Sequence, residues 1–150
     1  MDLTHNVMIN TSAAAVFRTL STQEGISGWY TPATKAEPKV GTIVECMFAN
    51  YGVLKFRVDT LEPNRRVIWT VVQGPTEWMN TTLTFTFAEA TGKVDFDFRH
   101  AGLPEHYDAF SSFNYLWGQY VRSIKLYAET GVGEPFGSSG SKAGGTTPGA

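Results

Sequence analysis

The sequence predicts an α+β fold in which a curved antiparallel sheet wraps around one long C-terminal helix. Two observations carry this. From Val40 to His100 apolar and polar residues alternate with period two, broken at intervals by turn-forming residues, the pattern of one-sided strands in a meander. Beyond that tract Phe110, Phe113, Trp117, Val121, Ile124 and Ala128 recur every three or four residues, which places them on one helical stripe. A long helix that follows a one-sided sheet buries its stripe on the sheet's concave face.

The elements follow in order. A first strand is predicted near Leu3 to Asn10, with Val7 and Ile9 alternating with less apolar neighbours. Thr11 or Ser12 caps a helix over SAAAVFRTL, where the alanines favour helix and Val16, Phe17 and Leu20 form a stripe. A second short helix runs from Thr22 toward Trp29. Gly25 and Gly28 weaken it, and Pro32 prevents its continuation. These glycines read as helix punctuation, because no GxGxxG or GK[ST] pattern accompanies them.

Five strands of the meander come next. Val44, Cys46 and Phe48 share a face, and NYG at 50 to 52 turns the chain. Leu54, Phe56 and Val58 oppose Lys55, Arg57 and Asp59 before the EPNRR turn. VIWTVV places Trp69 between Val67 and Val71, and QGP ends it. Leu83, Phe85 and Phe87 then face away from Thr82, Thr84 and Thr86. After a turn at Gly92, Val94, Phe96, Phe98 and His100 oppose Asp95, Asp97 and Arg99. Gly102 and Pro104 break this strand, and the terminal helix is predicted over 106–130, roughly 37 Å at 1.5 Å per residue. Gly131 and Gly133 stop it, and Pro135 and Phe136 pack its exit. The domain is expected to span residues 1–136, with the Gly/Ser-rich stretch 137–150 a flexible tail.

Composition narrows the function classes. The 150 residues suit one domain, large enough to bury about 70% of the unfolded chain's surface without a metal or disulfide. Twelve basic against fourteen acidic residues leave a net charge of −2 with no Lys/Arg run, so nucleic acid is not an expected partner. The single cysteine, Cys46, excludes an internal disulfide and paired-cysteine metal motifs. The start MDLTHNVMIN lacks the plan of a signal peptide, no apolar stretch reaches the ~20 residues of a membrane span, and a cytoplasmic location is expected.

The order of elements and several motifs resemble a known superfamily. GWYTP (28–32), KVG (39–41), LEPNRRVIWT (61–70), EW (77–78), FRHAGLP (98–104) and IKLYAETGVGEP (124–135) are similar to the START-like, Bet v-type (SRPBCC) superfamily. Within it they resemble the bacterial branch related to the C-terminal domain of the heat-shock protein 90 ATPase activators. The resemblance implies a helix-grip fold whose sheet and terminal helix enclose a hydrophobic chamber. Its members include lipid and hormone carriers and polyketide cyclases. The eukaryotic activators carry a further N-terminal domain for which this chain has no room, so chaperone activation is not the leading expectation.

The alternation selects the chamber wall. Val44, Cys46, Phe48, Phe56, Val58 and Trp69 face inward, followed by Phe85, Phe98 and His100. Trp29, Phe113 and Trp117 complete the expected ligand-binding set, with His100, Tyr115 and Glu77 as polar contacts. The plainer reading of each apolar residue is core filling, and of His100 a strand-end hydrogen bond to backbone or water. His5 and His106 have no HxE or HxxxH partner, so neither a metal nor another cofactor is expected. Cys46 reads as a small wall residue, since a strand interior offers nothing to activate a thiol. Ser111, Ser112 and Ser123 show no histidine at a recognisable spacing. The expected function is binding of a small apolar or aromatic molecule by a monomer or homodimer. The alternatives are a cyclase- or hydrolase-like enzyme using the same pocket, with His100 or Glu77 moving a proton, and an interaction module for a chaperone or stress partner.

Overall fold

A computed structural model describes residues 1–139. The strands are β1 (Leu3–Ile9), β2 (Thr34–Lys35), β3 (Ile43–Phe48), β4 (Gly52–Glu62), β5 (Arg66–Gln73), β6 (Thr82–Ala90) and β7 (Lys93–Ala101). The helices are α1 (Ala13–Ser21), α2 (Gln23–Trp29) and α3 (Phe110–Thr130), and a 3-10 turn covers Thr76–Trp78. All seven strands form one antiparallel sheet in the order β1-β7-β6-β5-β4-β3-β2. The meander is therefore as expected, with β1 added beside the last strand, Leu3 opposite His100.

Register shifts between Lys55 and Phe56 and between Val58 and Thr60 interrupt the β4–β5 ladder. Such bulges bend a strand and raise its twist, which curls the sheet toward the helix. Asn50 and Asn64, at φ 71° and 62°, hold the hairpin ends in the left-handed region that asparagine tolerates better than most residues. The inner face is dry as predicted: Leu54, Phe56, Leu83, Phe85, Phe87, Val94 and Phe96 are all buried.

One residue joins the short helices. Thr22 ends α1 through its N–H on Arg18 O and caps α2 through its hydroxyl, which accepts from Gly25 N at 3.0 Å. The α2 glycines prove to be packing devices rather than punctuation. A Cβ on Gly25 would lie 2.6 Å from Thr19 O, so only glycine lets α2 seat against the α1 backbone, and one on Gly28 would lie 2.2 Å from the Tyr127 ring of α3 and would have to displace it.

Three expectations are corrected. The terminal helix starts at Phe110 rather than 106, because the segment after Pro104 forms turns, and its 21 residues span roughly 32 Å. The stripe is shifted: Leu116, Trp117, Tyr120, Val121, Ser123 and Ile124 are buried, while Phe110, Phe113 and Ala128 are only partly so. The two-residue β2 was not expected, being too short to show a period; Thr34 pairs with Cys46. From residue 140 onward the predicted tail lies outside the described residues.

The helix exit is tied down. Gly131 takes the left-handed C-cap position at φ 83°. Ser123 Oγ donates to Trp29 O and accepts from Glu134 N, both at 2.8 Å, and Phe136 N donates to Tyr30 O at 2.7 Å. Phe136 then packs edge-on against Phe48.

Candidate ligand site

The inward residues of five strands and two helices converge between sheet and α3. Trp29, Val44, Phe48, Phe56, Trp69, Phe85, Phe98, His100 and Trp117 are each at most 2% exposed. They touch one another. Trp29 stacks on Trp69 at 6.4 Å, Trp69 meets Phe85 edge-on at 5.1 Å, and Phe98 lies 4.5 Å from Trp117. Tyr30 bridges the two halves, 4.8 Å from Trp29 and 5.6 Å from Trp117. Trp78, also fully buried, extends the series to Trp117 at 5.9 Å. The residues expected to stand apart as a chamber wall thus pack ring against ring. Tyr30 and Trp78, which the alternation does not select, supply the additional rings.

His100 lies within this packing. Trp117 Nε1 donates to its Nδ1 at 3.2 Å, so the proton sits on Nε2, which faces Thr81 Oγ1 at 2.8 Å. The Thr81 hydroxyl in turn donates a hydrogen bond to Trp78 O. Burial pushes the His100 pKa down to about 4 against a small opposing pull from Asp2. The ring is neutral near pH 7 and both nitrogens are occupied by protein groups. The expected neighbours are not there: Glu77 is exposed on the 3-10 turn, whose Trp78 is the residue that turns in against His100. Tyr115 is 57% exposed on the outer side of α3, one position out of phase with the buried Leu116.

An open cavity of about 560 Å³ lies at the mouth of the grip. Tyr51, Gly52, Val53 and Leu54 line it from the β3–β4 hairpin, and Gln73, Gly74 and Pro75 from the end of β5. Glu77, Tyr107, Ala109 and the first-turn Phe113 of α3 form the opposite side. Of the twelve residues expected to bind ligand, Glu77 and Phe113 line this cavity. Phe113 rests on Trp78 at 5.0 Å and on Tyr107 at 5.8 Å, and Trp78 Nε1 donates to Tyr107 OH at 3.1 Å. Tyr51, Gly74 and Tyr107 were not selected by sequence; a turn tyrosine beside NG-type chemistry is the one signal that pointed to this hairpin end.

Among the described residues no helix is long and apolar enough to cross a membrane, and no group of three His, Cys, Asp or Glu is placed to hold a metal ion. Cys46 is buried, and that burial pushes its thiol up to about 12 despite the Thr34 hydroxyl 3.8 Å away. It is a neutral wall group at physiological pH.

A curved antiparallel sheet gripping one long C-terminal helix, with two short helices after the first strand, defines a helix-grip domain of the START-like superfamily. The chain belongs to the family described as activator of Hsp90 ATPase homolog 1-like protein, whose pattern matches residues 10–129. Among solved structures it is similar to the Aha1 dimer from Colwellia psychrerythraea, with 26% identity, a TM-score of 0.80, and coverage of 89% of this chain and 99% of that one. A protein from Staphylococcus saprophyticus shares the fold at 17% identity and TM-score 0.73, covering 89% and 95% of the two chains. One from Mesorhizobium loti does so at 18% identity and TM-score 0.73, covering 84% and 95%. Comparison with curated proteins returns no match.

Proposed function

We propose that this protein binds a small, largely apolar or aromatic molecule at the mouth of the grip. The observation that carries the reading is the cavity of about 560 Å³ whose walls combine Val53, Leu54, Pro75 and Phe113 with polar groups at Gln73, Glu77 and Tyr107. That volume falls within the range of small-molecule sites, and a few polar groups on an apolar wall are what orients a guest. Relative to the sequence-based expectation, the site moves outward from the ring-filled interior to the rim. Gly74 packs closely against Leu54 in this wall, since a Cβ there would come within 2.8 Å of Leu54 Cδ2.

The test is a titration with 1-anilinonaphthalene-8-sulfonate, read by its emission. The wild-type protein is expected to bind it, and Ala109→Trp, which fills the cavity from the α3 side, to weaken binding about tenfold or more with unchanged circular dichroism. Equal affinity in the two proteins removes the rim as the site. Native mass spectrometry of protein purified from its own host then identifies the guest by its mass.

A second reading concerns assembly. The Colwellia relative is described as a dimer, which supports a homodimer here as well. Light scattering at micromolar concentration tests it, with a mass near 16.5 kDa counting against the dimer.

A further inference from the structure

We propose that Tyr30 and Tyr120 form an internal site for one neutral oxygen acceptor, either a water molecule or the carbonyl of a small guest, held by two phenol O–H donors. Tyr30 is fully buried and Tyr120 is 3% exposed. Among the described residues neither hydroxyl has a hydrogen-bond partner, although both rings pack against each other and against Trp117. The rings meet at right angles with centroids 4.8 Å apart.

The surroundings define the guest. Phe48, Phe56 and Trp117 pack around Tyr30 at 5.0, 6.3 and 5.6 Å. No Lys or Arg is buried among the described residues, so an anion would have no countercharge, whereas a neutral acceptor suits two phenol donors. Burial raises the pKa of both tyrosines, and Cys46 adds electrostatically to each. All three stay protonated near pH 7.

Phenylalanine at both positions would keep the rings and avoid two unsatisfied hydroxyls, each of which weighs against folding when left alone. Paired through a shared acceptor, the hydroxyls instead stabilise. This inference rests on the buried hydroxyls and is independent of the rim cavity.

The experiment compares Tyr30→Phe, Tyr120→Phe and the double variant by urea unfolding, and follows the carbonyl stretch of acetophenone by infrared difference spectroscopy. Each single variant is expected to raise the unfolding equilibrium constant about fivefold, the double by less than the product, because one acceptor serves both donors. A carbonyl band shifted to lower frequency in wild type and restored stepwise in the variants identifies a guest carbonyl as the acceptor. Destabilisation with no band shift identifies water. If both single variants are as stable as wild type or more so, and the acetophenone band is the same in wild type and double variant, the site does not exist.

Discussion

The indole N–H of Trp117 donates to Nδ1 of His100 across 3.2 Å, joining α3 to the last strand through a histidine that is fully buried. The bond requires a lone pair on Nδ1, so it exists only with the neutral ring. Protonation would break it and leave a charge among Trp78, Phe98 and Trp117.

Stability should therefore fall in acid with a definite window. Burial lowers the folded-state pKa of His100 from 6.5 to about 4, so the unfolded chain takes up the proton first as pH drops. The contribution is complete above pH 6.5 and is lost as pH falls toward 4, amounting to about 3 kcal/mol. Urea unfolding at several pH values checks this against His100→Gln, whose stability should be lower at pH 7 and flatter across that interval. Parallel curves for the two proteins would assign the acid loss to other groups.

Cys46 should resist alkylation in the native state. Its thiol is raised by burial from 9.0 to about 12, which leaves about a thousandfold less thiolate at pH 8 than an unperturbed group, and the side chain is inaccessible. Iodoacetamide labelling followed by mass spectrometry should proceed only at the rate of local opening and become fast in denaturant. Labelling of the native protein at free-thiol rates would contradict the enclosed position.

Gly133→Ala should destabilise the tie between the helix exit and α2. The new Cβ would lie 2.4 Å from Gly28 O and 3.0 Å from Ser123 Oγ, and backbone cannot swing aside. A loss of about 1–3 kcal/mol is expected in urea unfolding, the range of overpacked sites. Gly28→Ala should be milder, because its close neighbour is the Tyr127 ring and alanine is the better helix former.

Two aromatics separate core from surface. Trp69→Ala removes a side chain held by Trp29, Phe56 and Phe85 and should lower stability by about 3–5 kcal/mol. Tyr115→Ala, at an exposed position, should stay within about 0.5 kcal/mol of wild type and leave probe binding unchanged. A large loss for Tyr115→Ala would place that ring in the interior after all.

Strand alternation made the sheet legible. Leu83, Phe85 and Phe87 against Thr82, Thr84 and Thr86 decide a dry and a wet face without reference to any other part of the chain, because side chains on a strand alternate strictly. Gly102 and Pro104 likewise mark the end of β7 by local chemistry alone. The phase of α3 was not local. Aromatics lie on more than one of its sides, and the choice of Leu116 and Tyr120 over Tyr115 follows from its seating on β1, where His5 Nε2 meets Asn114 O and a Cβ on Gly118 would approach the His5 ring to 3.3 Å.

Tyr30 and Trp78 belong to no periodic run, one at the C-cap of α2 and the other on a three-residue turn. Their burial is set by segments that arrive from elsewhere, Phe136 on Tyr30 and Tyr107 on Trp78. The rim cavity has the same origin, drawing Leu54, Gly74 and Tyr107 from three separated stretches. Periodicity reports which face of an element is dry. Which rings meet, and where they leave room, is decided only when distant elements dock.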